Sequence, residues 1–299
     1  MTTKKTVRFI KGYPKFAYLM SNDAVCFMMH MADIEFLRRG NYKANWFKGE
    51  YVDRMNMNVK QFNRCVTELE ALGLLEITRS VNGRGVIYTL NQMAYNKLLK
   101  VCAATIHYDR IKDFLTKLNA EGRLIRDVSD YEISTVKGYS KSNYSETPFV
   151  KFYPGVSYLL TPDEICLLMH IFEIEYLVKY SICSFRTKQA FLDKTNMDSE
   201  AFEKSVNKLH QLHLIIKTTN DATGTIYKHS YAGYNNLVNV CGATCNYKAL
   251  KEYFDWLIIK GNRTLWNVKQ WHLKALEEYG SHYNGMEFPF SDLPAEDEP

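Results

Sequence analysis

The chain has 299 residues, enough for two domains of ordinary size. Hydrophobic residues make up 46% and charged residues 24% of it, a globular composition that excludes a largely disordered protein. The formal net charge is only +5, so the total charge selects no partner. Its distribution is more informative, because residues 1–148 carry the basic excess while the C-terminal residues are acidic. This asymmetry favours a polyanionic partner for the first half.

Several function classes are excluded by what the sequence lacks. No apolar run approaches the ~18 residues that span a membrane, and no charged-then-apolar leader is present, so we expect a cytoplasmic protein without a membrane partner. The seven cysteines show no zinc-type pairing and favour reduced, mostly buried thiols. No phosphate-binding loop, HExxH motif or nucleophile elbow occurs. We therefore predict a protein that is not an enzyme and has no cofactor.

The first predicted helix follows a short extended segment. Ser21 can cap this helix, which extends to about Arg39. A short middle helix is predicted before residue 56. The next helix starts at Asn58, which can cap it, and ends before Gly73, where a positive φ is expected. Apolar residues that recur every three or four positions predict its buried side: Val59, Phe62, Val66, Leu69 and Leu72.

Two short β-favouring segments follow this helix. They are joined by Asn82-Gly83-Arg84-Gly85, which is a hairpin turn signal. A helix, a glycine, a strand, a glycine-rich turn and a second strand, in that order, predict a winged helix. Two further helices are expected, from residue 93 to 101 and from residue 108 to 118.

Polar side chains on the outward side of this helix and on its wing form the first predicted binding surface. In a winged helix the helix lies in the DNA major groove, and the hairpin reaches phosphate or the minor groove. Asn and Gln can pair with adenine, and Arg can pair with guanine. An alternative interpretation is that the fold serves protein contacts only. The predicted DNA-contacting residues are Asn58, Lys60, Gln61, Asn63, Arg64, Thr67, Arg79, Asn82 and Arg84.

An internal repeat of about 140 residues organises the chain. Residues 18–37 match 158–177, and residues 56–77 match 196–217. After a one-residue deletion, 85–105 match 224–244. We therefore predict an α+β, mostly helical protein with two tandem winged-helix domains that arose by duplication. The expected boundaries are 1–120 for the first domain, 121–147 for a linker, 148–261 for the second domain, and 262–299 for a C-terminal helix and acidic tail.

The second copy differs from the first on its outward face. Its helix exposes Glu200 and Glu203, which would meet phosphate unfavourably. This copy either contacts DNA through different residues or has changed towards dimerisation. Its predicted DNA-contacting residues are Lys204, Asn207, Lys208, Lys217, Asn220 and Lys228.

The histidines suggest structure rather than metal binding. His30 and His170 occupy matching positions on apolar helix faces, which favours a structural role. His210 and His213 lie one turn apart, but no third ligand accompanies them, so we predict no metal site.

The tandem arrangement resembles the replication initiator proteins of plasmids, and its first unit is similar to phage replisome organisers. At residue level the resemblance is carried by NMNVKQFNRCVTELEALGLLEI and by the NGRG turn. It implies a sequence-specific double-stranded DNA-binding protein that initiates replication of a plasmid or other mobile element at origin repeats. It also implies homodimer formation and host replication proteins as partners. The alternatives are a transcriptional regulator of a mobile element or phage, and a winged-helix module for protein contacts.

Overall fold

A computed structural model describes residues 9–39, 47–79, 85–105, 107–136, 149–179, 188–220, 224–260 and 263–283. The fold is α+β and mostly helical, as predicted. Within the described residues, no helix combines the length and apolar character needed to cross a membrane.

The first half contains β1 (Ile10–Gly12), α1 (Phe16–Leu19), α2 (Asn22–Arg39), α3 (Lys48–Arg54), α4 (Val59–Ala71), β2 (Leu75–Arg79), β3 (Val86–Leu90), α5 (Gln92–Ala104), α6 (Tyr108–Ala120), a 3₁₀ turn (Ile125–Asp127) and α7 (Asp130–Val136). The second half contains β4 (Val150–Phe152), a 3₁₀ helix (Pro154–Tyr158), α8 (Pro162–Lys179), α9 (Lys188–Thr195), α10 (Ser199–Gln211), β5 (Ile215–Asn220), β6 (Gly224–His229), α11 (Tyr231–Ala243), α12 (Tyr247–Phe254), a π-helical continuation (Asp255–Lys260), a 3₁₀ turn (Leu265–Asn267) and α13 (Gln270–Ser281).

The two long helices begin at the predicted caps. The Oγ of Ser21 accepts a hydrogen bond from the Ala24 backbone N–H at 3.3 Å. In the second half, Thr161 and Glu164 form the predicted capping box, in which the Glu164 carboxylate accepts from the Thr161 N–H at 2.8 Å. These caps satisfy donors that have no partner inside the helix, so the helix starts are determined locally.

Helix α4 also starts and ends where local signals predict. The side chain of Asn58 accepts from the Gln61 N–H, and that of Gln61 accepts from the Asn58 N–H, both at 2.9 Å. At its C-terminal end, Gly73 adopts the predicted positive φ of 69°. His213 holds the equivalent position after α10 at φ 56°, so the second copy keeps the same chain reversal without glycine.

The predicted buried side of α4 is partly wrong. Its buried residues are Phe62, Cys65 and Leu69, which lie against α2. Val59 was predicted to be buried but is 51% exposed. It lies one turn before Asn63 and belongs to the outer face of the helix, which the three-to-four-residue spacing alone could not distinguish from the core stripe.

Part of the segment predicted as a linker is packed structure. Ile125, Val128 and Ile133 are buried, and α7 packs against α5. The equivalent 3₁₀ turn and α13 pack against α11 in the second half. The repeat therefore continues through RLIRDV (123–128) and RTLWNV (263–268), where the sequence match is weak because Trp266 replaces Arg126 and Asn267 replaces Asp127.

The π-helical turn accounts for one inserted residue in the second copy. The Arg123 N–H donates to the Leu118 carbonyl at 3.0 Å, and the Arg263 N–H donates to the Leu257 carbonyl at the same distance. The second copy has one more residue between these two anchor points. Widening of the helix at Asp255–Lys260 accommodates that residue while preserving the anchors.

The two halves share one hydrophobic core. Strand β1 pairs antiparallel with β4, and α2 packs against α8. The guanidinium of Arg54 stacks 3.5 Å from the centroid of the Tyr247 ring. The Lys194 ammonium lies 5.1 Å from the centroid of the Tyr108 ring. Arg54 and Lys194 are equivalent positions of the repeat, and so are Tyr108 and Tyr247. Each half therefore supplies the basic residue of one contact and the tyrosine of the other.

Candidate nucleic-acid interface

Aromatic packing fixes the position of α4. The Phe62 ring lies 5.0 Å from that of Phe27 on α2 and 5.2 Å from that of Tyr88 on β3. Tyr51 of α3 completes the cluster, 5.0 Å from Phe27. Phe191, Phe202 and Tyr227 form the matching cluster in the second half. Each cluster joins the outward helix, α4 or α10, to the hairpin that follows it, so the outward face of that helix is presented in a defined direction.

The outer face of α4 gathers four of the predicted residues. Lys60, Asn63, Arg64 and Thr67 are all exposed there. Lys48 of α3, which no sequence pattern indicated, also reaches this face, where its ammonium donates to the Asn63 side-chain oxygen at 2.8 Å. Only the packing of α3 beside α4 brings this third basic group to the face. A basic residue just after Phe47 was visible in the sequence, but nothing local connected it to α4.

Asn58 and Gln61 perform a different task from the one predicted by their residue type. Their side chains are engaged in the capping box that starts α4. The Gln61 amide also lies 3.5 Å from an Asp23 carboxylate oxygen. These contacts engage the side-chain oxygens of both residues, which thereby position the helix N-terminus.

Arg64 is held only weakly by the protein. Its guanidinium lies 3.8 Å from Asp23, and its side chain is 68% exposed. Burial raises the pKa of the Asp23 carboxyl, the neighbouring Asp163 raises it further, and Arg64 opposes both. An exposed ion pair at this distance contributes at most about 1 kcal/mol. Arg64 can therefore turn towards an incoming anion at little cost.

The first hairpin places Arg79 on the α4 side. Across the ladder Ile77 pairs with Tyr88, and Arg79 lies two residues further along the same strand. Side chains two residues apart in a strand point to the same face of the hairpin, so Arg79 lies on the same face as Tyr88. This is the face that packs against α4. A Cβ at Gly85 would come within 2.4 Å of the Phe47 ring, so the turn end of the hairpin packs closely against the start of α3. Asn82 and Arg84 lie outside the described residues.

The second outer face has a different charge pattern. Lys204 and Asn207 are exposed and Lys208 is half-buried on α10. Lys188, the counterpart of Lys48, donates to the Glu203 carboxylate at 2.6 Å. Glu203 is negatively charged, whereas Asn63 is neutral. The positive charge of Lys188 is therefore neutralised on the second face, and that of Lys48 is retained on the first.

The structure does not bring all the predicted residues of the second hairpin together. Lys228 pairs with Ile216, whereas Lys217 pairs with Tyr227, so the two lysines lie on opposite faces of the hairpin. Asn220 pairs with Gly224 at the end of β5, next to the turn. Only Lys217 shares the inner face with Tyr227.

A line of contacts connects the two outward helices. Asp23, which lies beside Arg64 of α4, is in the first turn of α2. The neighbouring Asn22 donates to Asp163 at the start of α8, at 2.7 Å. Glu164 of that turn interacts electrostatically with Lys208 of α10. Helices α4 and α10 thus flank the joined N-terminal ends of α2 and α8, at one end of the helix pair.

The buried histidines have protein partners. His30 lies 2.8 Å from the Ser157 hydroxyl, and His170 lies 3.2 Å from the Glu173 carboxylate, which also accepts from Tyr108. Burial acts to raise the pKa of Glu173, but the hydrogen bonds from His170 and Tyr108 bring it below its usual value. Among the described residues, no group of three His, Cys, Asp or Glu side chains could hold a metal ion.

No protein-family model, curated protein or solved structure matches this chain.

Proposed function

We propose that this chain is a sequence-specific double-stranded DNA-binding protein built from two winged-helix units of common origin. The observation that carries the proposal is the outer face of α4, an amphipathic helix held from behind by an aromatic cluster. Lys60, Asn63 and Arg64 are grouped on this face, and Lys48 of the neighbouring α3 reaches it. Basic groups can neutralise phosphates, while Asn and Arg provide the side chains that discriminate adenine and guanine in the major groove.

Val59 adds an apolar component to the same face. It is exposed one turn before Asn63, and an exposed valine on a polar helix face has no role in the core. Apolar side chains read the methyl group of thymine in the major groove. The combination of cationic, amide and apolar groups therefore suits base recognition better than a purely electrostatic contact with phosphate.

The proposed biological role is initiation of replication of a plasmid or other mobile element. Its support is the resemblance of the first recognition segment and of the tandem arrangement to plasmid initiators. Binding to origin repeats, formation of a homodimer and contact with host replication proteins belong to this proposal. A transcriptional regulator would use the same DNA-binding face. Footprinting on DNA of the host element separates the two roles, because an initiator protects tandem repeats at an origin and a regulator protects a promoter.

A second candidate function is protein recognition by α10. Glu200 and Glu203 lie on its outer face, where carboxylates oppose phosphate, and they favour a basic protein surface as the partner. DNA binding that is lost on substitution of α4 and unaffected by Glu200→Ala and Glu203→Ala would support this alternative.

The test is the salt-dependent affinity of the full chain for duplex DNA, measured by fluorescence anisotropy. Arg64→Ala should weaken binding to the preferred sequence about 5- to 150-fold, the range of one good base contact. Lys60→Ala should weaken binding to all sequences and reduce the salt slope by about one. Lys117→Ala is the matched control, since its ammonium is exposed on α6, away from this face, and its loss removes the same charge.

The control should leave both affinity and salt slope unchanged. Absence of duplex binding at about 50 mM salt would refute the proposal. Equal affinity loss in all three variants would also contradict it, because net charge rather than the α4 face would then determine binding.

A further inference from the structure

We propose that the second half of the chain carries a docking surface for an acidic amphipathic segment of another protein. The surface, which we name the aromatic patch, consists of His213, Ile216, Tyr231 and Trp266. It lies where α10 ends, where β5 and α11 begin, and where the 3₁₀ turn before α13 passes. It is separate from the outward face of α10, and it does not depend on the proposed DNA binding.

Contacts between elements bring one part of the aromatic patch together. The ring of His213 lies 5.4 Å from that of Trp266. The side chain of Asn236 on α11 donates to the Leu265 carbonyl at 2.8 Å, so α11 holds the turn that carries the tryptophan. Ile216 follows His213 by three residues, a distance of about 10 Å along a strand. The aliphatic residue therefore adjoins the two stacked rings.

Ile216 and Tyr231 meet at the start of α11. In the first half, the side chain of Asn91 donates to the Glu76 carboxylate at 2.7 Å. Asn91 and Glu76 align with Ser230 and Ile216 in the repeat. Residue 216 therefore faces the residue that immediately precedes Tyr231, and the tyrosine extends the patch along α11.

The aromatic patch exposes a large apolar area. Tyr231 is 74% exposed, Trp266 is 60% exposed and Ile216 is 50% exposed. Together these fractions amount to roughly 300–400 Å² of side-chain surface, since a Tyr or Trp side chain offers about 150–250 Å². An exposed apolar patch of this size marks an interaction site more often than not. Trp and Tyr are also the residues that contribute most to binding at protein interfaces.

The first half shares the backbone of this region but not the aromatic patch. Its four equivalent positions hold glycine or polar side chains, in the order of the patch residues: Gly73, Glu76, Gln92 and Arg126. Because both halves have the same packing, the fold does not require aromatic or aliphatic groups at these positions. The exchange therefore serves a contact that the second half alone makes.

The segments that form the aromatic patch contain no acidic residue. Residues 210–220, 224–251 and 263–276 supply the patch and its margins, and none of them is Asp or Glu. Glu175 of α8 also approaches this hairpin, but it pairs with His229, which points to the face opposite that of residue 216. The charge at the margins of the patch is therefore positive.

Two lysines lie at these margins. Lys228 pairs with Ile216 across the hairpin and is exposed. Lys269 follows Trp266 by three residues and is exposed as well. An apolar surface bordered by cations is complementary to a segment that combines apolar side chains with carboxylates. This complementarity identifies the partner as acidic and amphipathic.

Two other occupants fit the aromatic patch less well. A single-stranded nucleic acid needs successive free ring faces for its bases, but the Trp266 ring has His213 against it and Ile216 has no ring. A second copy of the chain, joined through the same patch on a twofold axis, would bring the Lys228 side chains of both copies to one interface. A globular partner buries about 800 Å² on each side, so the smaller patch suits a single helix or extended segment.

The first experiment selects peptides of about 16 residues, or four helical turns, from a displayed random library with the immobilised full chain as target. We expect enriched peptides to combine apolar or aromatic residues three or four positions apart with an excess of Asp and Glu. Enrichment of no peptide, or of basic peptides, would overturn the inference. A fluorescein-labelled peptide of the enriched sequence then gives the affinity by fluorescence anisotropy.

The second experiment measures this labelled peptide on variants of the full chain. Trp266→Ala should weaken its binding at least about 30-fold, the loss expected for a central aromatic residue of an interface. Ile216→Glu, which introduces the first-half residue, should weaken binding at least as much. Lys228→Glu should weaken it about fivefold and reduce its dependence on salt. Tyr131→Ala is the matched control, because this tyrosine is 79% exposed on α7 of the first half, and it should leave the affinity unchanged.

Far-ultraviolet circular dichroism first establishes that each variant is folded. We expect Ile216→Glu to fold, since the first half carries Glu76 at the equivalent position. Unchanged affinity of folded Trp266→Ala and Ile216→Glu would show that the peptide binds elsewhere and would overturn the inference. An equal loss in Tyr131→Ala would do the same.

Two competitors test the other occupants directly. A labelled oligothymidine that binds the full chain, loses binding in Trp266→Ala and is not matched by any acidic peptide would assign the patch to single-stranded DNA. A synthetic peptide of residues 284–299 that displaces the selected peptide would assign it to the acidic C-terminal segment of the chain itself. Either result would overturn the proposal of a separate protein partner, and absence of both is expected.

Discussion

Arg54 offers a direct test of whether the two halves fold as one unit. Its guanidinium is buried, lies 3.3 Å from the fully buried carboxylate of Asp33, and stacks on Tyr247 of the second half. Substitution Arg54→Met fills much of the same volume but removes the charge. Removing one partner of a buried ion pair costs about 3–5 kcal/mol, because the remaining charge stays out of water. We expect the free energy of unfolding to fall by that amount.

The double variant Asp33→Asn, Arg54→Met should be less destabilised than the sum of the two single variants. Both charges are then absent, so no unpaired charge is buried. The expected coupling in this double-mutant cycle is about 2–3 kcal/mol, the upper part of the range for residues in one polar network. Arg54→Lys is a milder control, because it keeps the positive charge and loses the planar stacking on Tyr247.

Urea unfolding followed by tryptophan fluorescence is the assay. Trp256, Trp266 and Trp271 all lie in the second half, so their signal reports on that half. Tryptophan 46 is replaced by phenylalanine in every variant to remove the remaining contribution. A substitution in α3 that lowers the unfolding midpoint of these distant tryptophans demonstrates coupling across the interface. Two separate transitions, or an unchanged midpoint for the tryptophans, would refute the reasoning.

Two further predictions concern α4 and the buried histidine. Phe62→Ala should lower the free energy of unfolding in urea by about 3–5 kcal/mol, because the ring is fully buried in the aromatic cluster. Val59→Ala, at an exposed position, should lower it by less than about 0.5 kcal/mol. Similar losses for both variants would contradict the assigned orientation of α4. Burial, and secondarily the charge of Arg54, lowers the pKa of His30 well below its usual value. The unfolded state therefore binds more protons, so stability should fall as the pH drops below about 6.5, by up to about 1.4 kcal/mol per pH unit. His30→Gln should remove this part of the pH dependence in unfolding measured from pH 5 to 8, and an unchanged slope would show that His30 is protonated when folded.

The local features of the helices could be predicted from the sequence because their causes are short-range. The cap at Asn58, the positive φ at Gly73 and the Thr161–Glu164 capping box depend on residues only a few positions apart. The hairpins follow from β-favouring segments around a short turn. Most of the outward face of α4 was also predictable, since the helix period separates Lys60, Asn63 and Arg64 from Phe62 and Leu69.

The extent of the packed structure was less accessible from the sequence. The apolar side chains of residues 125–136 are interspersed with charged and hydroxyl residues, and their burial depends on the surface that α5 offers to Ile125 and Ile133. The matching segment before α13 has Trp266 in place of Arg126 and Thr264 in place of Leu124, so the repeat was hidden at this point. The path of the backbone is kept when side chains are exchanged in this way, although the residues that would reveal a sequence match are lost.

By itself, the sequence determined the capped starts of the main helices, the order of the helix–hairpin pattern and the repetition of that pattern, because each depends on nearby residues or on direct comparison of two segments. Only the tertiary structure decided that Val59 joins the outer face, that Lys48 reaches Asn63, and that Lys11 pairs with Lys151 in the β1–β4 ribbon. These contacts connect residues on different elements, and Lys11 and Lys151 lie far apart in the chain. Such contacts form when hydrophobic faces are buried together, and no local rule of residue spacing specifies which faces meet.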